Sequence, residues 1–286
     1  MNFVTYQRLL ADTLEWAKQL EPYDAVCGLP RSGLIPASVL AQEWNCRLIP
    51  WDRLTESAEL AILRSGLRSN NPDKLKPVRR VLIVDDTSSD RGVTILAARK
   101  SLADTEGLEF TYGAVYRANE SSPVDVYYRE VAMPRIFQWN WLRHYRLQRT
   151  LFDFDGVLCE DWAGPPEQDE DQAFRDHVCN VKPLYLPRQP ILGVVTSRLE
   201  RYRDESTKWL RQHGVSWQGL MMHPAETPQE RRAAGDHAER KAAEYARRSE
   251  AELFVESDAR QAKRIAEFAK KPVLCTENWT MYSDNN

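Results

Sequence analysis

The stretch Thr150-Leu151-Phe152-Asp153-Phe154-Asp155-Gly156-Val157-Leu158 decides how this chain is read. Three residues suited to a buried strand run straight into two carboxylates at i and i+2, then a glycine. Buried parallel strands are short apolar runs without alternation, and their carboxyl ends are where such sheets carry reactive groups. On extended backbone i and i+2 point to one side, so Asp153 and Asp155 are set to approach one Mg²⁺, which prefers hard oxygen ligands. Gly156 permits the sharp exit turn. One Asp can attack phosphorus while the other passes protons to the leaving group and from water.

The same signature recurs outward from this point. The run at 191–195 ends in Thr196-Ser197-Arg198, where a hydroxyl can hold a phosphate oxygen. Leu253-Phe254-Val255 ends in Glu256-Ser257-Asp258, which offers further carboxylates to a metal, with the choice between Glu256 and Asp258 open. Lys241 lies on a helical stretch before that strand and can neutralise the attacking carboxylate and the phosphate; Lys208 is the competing placement. Helical patterns fall at 201–213, 230–248 and 259–268, and a last strand at 272–274. The polar, acidic segment 161–171 reads as a loop, and the residues between Leu158 and the next strand are too polar for a packed cap.

The first half repeats the alternation. Strands are expected at 25–27, 81–84, 110–116 and 124–128, with helices at 34–44 and 94–102, and an amphipathic helix over 1–20 carrying Leu10, Leu14 and Ala17 on one side. Alternating strands and helices imply parallel sheets wrapped by helices. Val81-Leu82-Ile83-Val84 runs into Asp85-Asp86-Thr87-Ser88-Ser89-Asp90-Arg91-Gly92-Val93-Thr94. A strand, a loop of small polar residues and a helix N-terminus make an anion site from backbone N–H groups. The paired acids ahead of it suit a ribose diol. Upstream, Cys27-Gly28-Leu29-Pro30-Arg31-Ser32-Gly33 is a second glycine-bearing anion loop, with Arg31 as a pyrophosphate partner.

DFDGVL, VVTSR, Lys241 and FVESD, in this order, resemble the four motifs of the haloacid dehalogenase (HAD) superfamily of phosphatases, over the chain from about residue 150 onward. The resemblance implies a Mg²⁺-dependent phosphohydrolase. Asp153 is its nucleophile, Asp155 its general acid/base, and Thr196 and Lys241 contact phosphate. Asp153, Asp155, Glu256 and Asp258 are its candidate metal ligands. GLPRSGLIPA together with the Asp85-Asp86 strand and its loop resembles the type I phosphoribosyltransferases, over roughly residues 20–120. That implies binding of 5-phosphoribosyl-1-pyrophosphate (PRPP): Asp85 and Asp86 on ribose, Thr87, Ser88, Ser89, Gly92 and Thr94 around the 5′-phosphate, and Arg31, Ser32 and Gly33 at pyrophosphate. A mobile loop is expected at 52–76. Members of this family are often homodimers.

The fold expected is therefore α/β: two Rossmann-like parallel-sheet domains, a phosphoribosyltransferase type I fold at 1–132 and a HAD-like fold with minimal cap at 150–286. Between them, 133–149 reads as a packed aromatic connector, since it lacks Gly and Ser and carries Phe137, Trp139 and Trp141. The fusion suggests transfer from PRPP to a small, base-like acceptor, then removal of the 5′-phosphate from the riboside. The alternative is a phosphatase regulated by a non-catalytic PRPP- or nucleotide-sensing domain, to which the charged Asp90-Arg91 pair in the phosphate loop points.

Composition bounds the rest. Hydrophobic residues make up 42% and charged residues 28%, ordinary for a globular protein, and the formal net charge of −3 gives no long-range attraction to nucleic acid. No apolar run reaches the roughly 20 residues of a membrane span. Five scattered cysteines without a C-x-x-C pair argue for a reducing, cytoplasmic compartment and against a structural zinc site. Cys159, beside the Asp pair, reads as a packed thiol.

Overall fold

The computed structural model describes residues 1–56, 78–164 and 172–283. It divides into two compact units, Asn2–Trp139 and Asn140–Asn286, the latter joined by Met1.

In the first unit the elements run β1 (Asn2–Val4), α1 (Tyr6–Gln19), β2 (Ala25–Gly28), α2 (Leu34–Glu43), β3 (Arg47–Ile49), α3 (Trp51–Glu56), β4 (Arg80–Ser88), α4 (Val93–Ser101), β5 (Glu109–Arg117), β6 (Val126–Glu130) and β7 (Arg135–Phe137). A five-stranded parallel sheet has the order β3-β2-β4-β5-β6, and β1 pairs with β7 in a separate two-stranded sheet. The central strand explains the unbroken apolar run at 81–84. Leu82 and Val84 pack on one face with Trp16, Leu40 and Val115, while Val81 and Ile83 pack on the other with Ile95, Ala98 and Leu102. Both faces are covered, so both must be apolar.

Several expectations need correction here. The N-terminal segment opens as β1, and the helix begins only at Tyr6, where the Thr5 side chain accepts the Arg8 N–H at 3.1 Å. Its buried side is Leu9, Thr13, Trp16 and Ala17; Leu10 and Leu14 are 42% and 39% exposed. That side buries Leu9 and Ala17 together with the large Trp16 ring, a greater apolar area than the two leucines offer, and this sets the helix rotation. β3 and β7 are too short to show as runs. The expected mobile loop begins within α3; its part from residue 57 onward lies outside the described residues.

In the second unit the order is β8 (Thr150–Phe152), α5 (Gln172–Asn180), β9 (Ile191–Leu199), α6 (Arg203–Gln212), β10 (Trp217–His223), α7 (Pro228–Ala234), α8 (His237–Arg247), β11 (Leu253–Glu256), α9 (Ala259–Ala269), β12 (Val273–Cys275) and β13 (Thr280–Tyr282). The sheet order is β10-β9-β8-β11-β12-β13, parallel except that β13 is antiparallel to β12. The strand carrying the Asp pair, β8, is therefore central. The charged run at 230–248 is two helices rather than one. Gly235, at φ +59°, ends α7 in the left-handed conformation and returns its N–H to the Arg231 carbonyl at 3.3 Å. Of the loop expected at 161–171, residues 165–171 lie outside the described residues. After it α5 folds, with Phe174 and Val178 one turn apart packing against Leu199, Tyr202 and Met222.

Candidate functional site

In the second unit, Asp153 stands one residue past β8, with its N–H bonded to the Val255 carbonyl of β11 at 2.9 Å. Thr196 lies in β9 and Glu256 closes β11, so three adjacent parallel strands deliver these side chains to one edge. α8 brings Lys241 across them. Its ammonium donates to Asp153 Oδ2 and Glu256 Oε2, both at 2.7 Å, and to Gln261 Oε1 at 3.2 Å. Lys241, Asp153 and Glu256 are all buried. Lys208 is exposed on α6. Burial works against a charged Lys241, but Asp153 and Glu256 hold its pKa above the usual lysine value. Burial, with repulsion from Glu256 and Asp155, pushes the Asp153 carboxyl up to about 8 against the pull of Lys241.

Asp155 has a different partner. Arg198 donates Nε to Oδ2 at 2.9 Å and Nη2 to Oδ1 at 2.6 Å, and its guanidinium lies 3.7 Å from the Phe154 ring centroid. Arg198 is 2% exposed. Burial would raise Asp155, but this bidentate pair holds it below the usual carboxylate range. Cys159 also approaches: Arg198 Nη2 lies 3.2 Å from its sulfur, and burial pushes the thiol pKa well up. It is a buried, protonated thiol.

The two acids at the end of β11 are also distinct. Glu256 accepts the Ser257 N–H at 2.9 Å and the Asp258 N–H at 3.2 Å on Oε1, besides Lys241 on Oε2. Asp258 caps α9, accepting from the Arg260 and Gln261 N–H groups at 2.8 and 2.9 Å. A cleft of about 320 Å³ is lined by Asp153, Asp155, Thr196, Lys241, Glu256 and Asp258, together with residues the sequence reading did not single out. Among these, Asp161 has a carboxyl raised first by burial and then by Asp155 and Glu256. His237 Nδ1 lies 2.9 Å from Ser197 Oγ, and Arg231 donates to the Ser197 carbonyl at 3.2 Å. Arg198 and His237 carried no separate signal, because their partners are tens of residues away.

Among the described residues no group of three His, Cys, Asp or Glu stands in metal-holding geometry. Lys241 sits between Asp153 and Glu256, and Arg198 occupies Asp155. The chemistry of the donor set nonetheless suits Mg²⁺. The acidic side chains around the cleft are all hard oxygen donors, and they outnumber the cations Lys241, Arg198 and Arg231. Asp153 and Asp161 both sit above their usual pKa, the condition a bound cation relieves.

In the first unit the two anion loops stand side by side, because β2 and β4 are neighbours. The Leu29 N–H bonds the Val84 carbonyl at 2.9 Å. A Cβ on Gly33 would meet the Leu29 and Val84 carbonyl oxygens, each at 2.6 Å, so only glycine fits there. Arg31 is exposed and Ser32 half-buried. Asp85 and Asp86 lie within β4 and are buried at 8% and 2% exposure. The Asp86 N–H donates to Asp85 Oδ1 at 2.9 Å, and Trp139 Nε1 donates to Asp86 Oδ2 at 2.8 Å. Burial first, then Asp86, pushes the Asp85 carboxyl up to about 9. Past them, Ser89 folds the loop by accepting the Gly92 N–H on both its carbonyl and its hydroxyl, at 3.1 and 3.2 Å. Gly92 enters α4 at φ +45°, and Thr94 is exposed on its first turn. The Thr87 hydroxyl is buried without a hydrogen-bond partner. Buried Arg135 donates to the Ser88 and Val131 carbonyls at 2.9 and 3.0 Å. Asp90 accepts the Arg91 N–H at 2.9 Å, and both are exposed.

No family model matches this chain, and no curated protein matches it. Among solved structures, the Helicobacter pylori xanthine-guanine-hypoxanthine phosphoribosyltransferase is 21% identical, with a TM-score of 0.35, covering 48% of this chain and 94% of its own. A purine phosphoribosyltransferase from Pyrococcus horikoshii is 20% identical, with a TM-score of 0.34, covering 49% and 95%. An orotate phosphoribosyltransferase from Aeropyrum pernix is 24% identical, with a TM-score of 0.28, covering 41% and 60%.

Proposed function

We propose that the chain is a two-site enzyme. One site transfers a 5-phosphoribosyl group from PRPP to a base-like acceptor, and the other hydrolyses the 5′-phosphate of the resulting riboside. The observation that carries the hydrolase reading is the Lys241 ammonium at 2.7 Å from both Asp153 and Glu256, at the carboxyl edge of three neighbouring parallel strands. The ammonium beside Asp153 favours its ionised, nucleophilic form, against the burial and neighbouring acids that push its carboxyl up to about 8. An Asp153 oxygen attacks phosphorus, the ester oxygen leaves, and water then cleaves the aspartyl phosphate. Asp155, held ionised by Arg198, is suited to take the proton of that water; to act first as an acid it must accept a proton against the guanidinium. Thr196 offers its hydroxyl to a phosphoryl oxygen. Asp153 and Asp155, with Glu256 or Asp258, would hold Mg²⁺, which when bound would supply positive charge beside the phosphoryl oxygens.

In the transferase site, Asp85 and Asp86 meet the ribose diol. Thr87, Ser88, Ser89, Gly92 and Thr94 cradle the 5′-phosphate at the start of α4, and Arg31, Ser32 and Gly33 meet pyrophosphate. One observation favours the second reading, in which this unit senses PRPP or a nucleotide without transfer: the acid pair is buried, and the Trp139 indole already occupies Asp86. Pyrophosphate release from PRPP over an acceptor screen separates the two.

The hydrolase reading is tested with nucleoside 5′-monophosphates and ribose 5-phosphate in Mg²⁺. Asp153→Asn is expected to lower phosphate release by about 10³-fold or more, the scale on which loss of a covalent nucleophile is felt. Undiminished release would end this reading.

A further inference from the structure

Two cavities adjoin the phosphoryl cleft, and they differ in chemistry. One, of about 350 Å³, shares Asp155, Asp161, Ser197 and Arg231 with the cleft and adds Trp162, Phe174 and Arg232. The other, of about 400 Å³, shares Asp161, Ser257 and Asp258 and adds Leu184, Tyr185 and Glu277. Among the described residues the cleft itself has no apolar side chain in its wall. Among the described residues the second cavity has three carboxylates and no cation in its wall, so it repels a phosphate ester. In the first, among the described residues, Arg198, Arg231 and Arg232 outnumber Asp155 and Asp161. That side, unlike the second cavity, does not repel an anionic ester.

The first cavity also has an aromatic wall held in place. Trp162 meets the Phe174 ring at 87° with centroids 5.4 Å apart, and the His177 ring at 68° and 5.0 Å. Both rings belong to α5, and Phe174 is anchored in the cluster with Leu199, Tyr202 and Met222. The backbone at Gly164 lies against Trp162 so closely that a Cβ there would come within 2.0 Å of the indole. Trp162 is half-buried and lines the cavity. A fixed, partly open indole beside a cationic wall suits a flat aromatic ring better than a bare sugar, and the volume falls within the usual range of small-molecule sites, about 300–1,000 Å³.

We infer that the cavity walled by Trp162, Phe174 and Arg231 is the leaving-group subsite of the phosphatase, and that it takes the base of a nucleoside monophosphate. This deepens the hydrolase reading and rests on it. The subsite makes the unit discriminate nucleotides from sugar phosphates within its own fold.

The test measures kcat/KM for uridine 5′-monophosphate, inosine 5′-monophosphate and ribose 5-phosphate, in wild type, Trp162→Ala, Trp162→Tyr and Leu184→Ala. The expectation is that wild type prefers at least one nucleotide. Trp162→Ala then lowers that preference by about ten- to a hundredfold, the scale of base–aromatic stacking, with ribose 5-phosphate little changed. Trp162→Tyr, which keeps a ring, retains most of the preference, and Leu184→Ala, on the acidic cavity, retains all of it. Inhibition of wild type by uridine or inosine, more potent than by ribose, is expected and needs no variant to fold. Equal use of all three substrates, an equal loss on all in Trp162→Ala, nucleoside inhibition no stronger than ribose, or a shift in Leu184→Ala overturns the subsite. Asp153→Asn run alongside keeps the two readings apart. If it retains activity, the hydrolase reading fails and the subsite with it. If it is inactive while Trp162→Ala keeps the wild-type preference, only the subsite fails.

Discussion

The two units each end a central parallel strand in a pair of acids, and they treat the pair in opposite ways. Asp153 and Asp155 are separated by one residue and each has its own buried cation, Lys241 and Arg198. Asp85 and Asp86 are adjacent, hydrogen-bonded one to the next, and the side-chain donor to Asp86 is the neutral Trp139 indole. The buried guanidinium closest to hand, Arg135, gives its hydrogen bonds to the Ser88 and Val131 carbonyls instead. Each acid of the first pair has a cation beside it before any substrate arrives, although burial and the neighbouring acids still push Asp153 up to about 8. The second carries its charge in the form of a proton, with Asp85 pushed up to about 9 by burial and by Asp86.

Removing a cation from the first pair should break the contrast most severely. Lys241→Met leaves Asp153 and Glu256 buried without their partner, and about 3–5 kcal/mol of stability should be lost, read from the urea midpoint. Adding Asp153→Asn to it should restore part of that loss. If Lys241→Met costs under about 1 kcal/mol, the two carboxylates are not held by the lysine.

In the second pair the acid itself is the liability. An Asp whose folded pKa lies above its unfolded value binds its proton more tightly when folded. Its protonated form stabilises the fold at low pH, and stability falls as pH rises from about 4 toward about 9. Asp85→Asn removes that slope. The variant should match wild type at pH 4 and exceed it by about 2 kcal/mol at pH 8, below the full linkage value because the two acids share the penalty. Parallel stability curves for the two proteins from pH 4 to 9 would show that Asp85 is ionised throughout. The smallest effect is expected from Trp139→Phe, which removes the indole N–H from Asp86 but keeps a ring beside Phe137, now 4.9 Å away. A loss of about 1 kcal/mol in thermal or urea unfolding is the scale of one hydrogen bond.

Much of the fold was legible because its signals are local. The runs at 81–84 and 253–255 are short, apolar and fully buried. Acids and glycines placed directly after such runs inherit their position from the strand. Where a signal was weak, reading failed for identifiable reasons. β10, with Trp217, Gln218 and Gly219, is an edge strand only partly buried along most of its length, so its composition looks like loop. β13 is a short antiparallel edge strand with no buried residue. The rotation of α1 turned on Trp16, whose burial depends on what the sheet offers it rather than on the helix period.

The order of strands, acids and loops along the chain was determined by the sequence alone, since each motif is complete within about ten residues and needs only strand periodicity to place its side chains. Which cation serves which acid was decided only by tertiary structure. Lys241 reaches Asp153 across 88 residues and Arg198 reaches Asp155 across 43, while Lys208 remains at the surface. The same holds for Trp139 on Asp86, 53 residues apart. Contacts of that span follow from strand order and helix placement, which are set by the summed burial of whole faces and not by any residue that takes part in the contact.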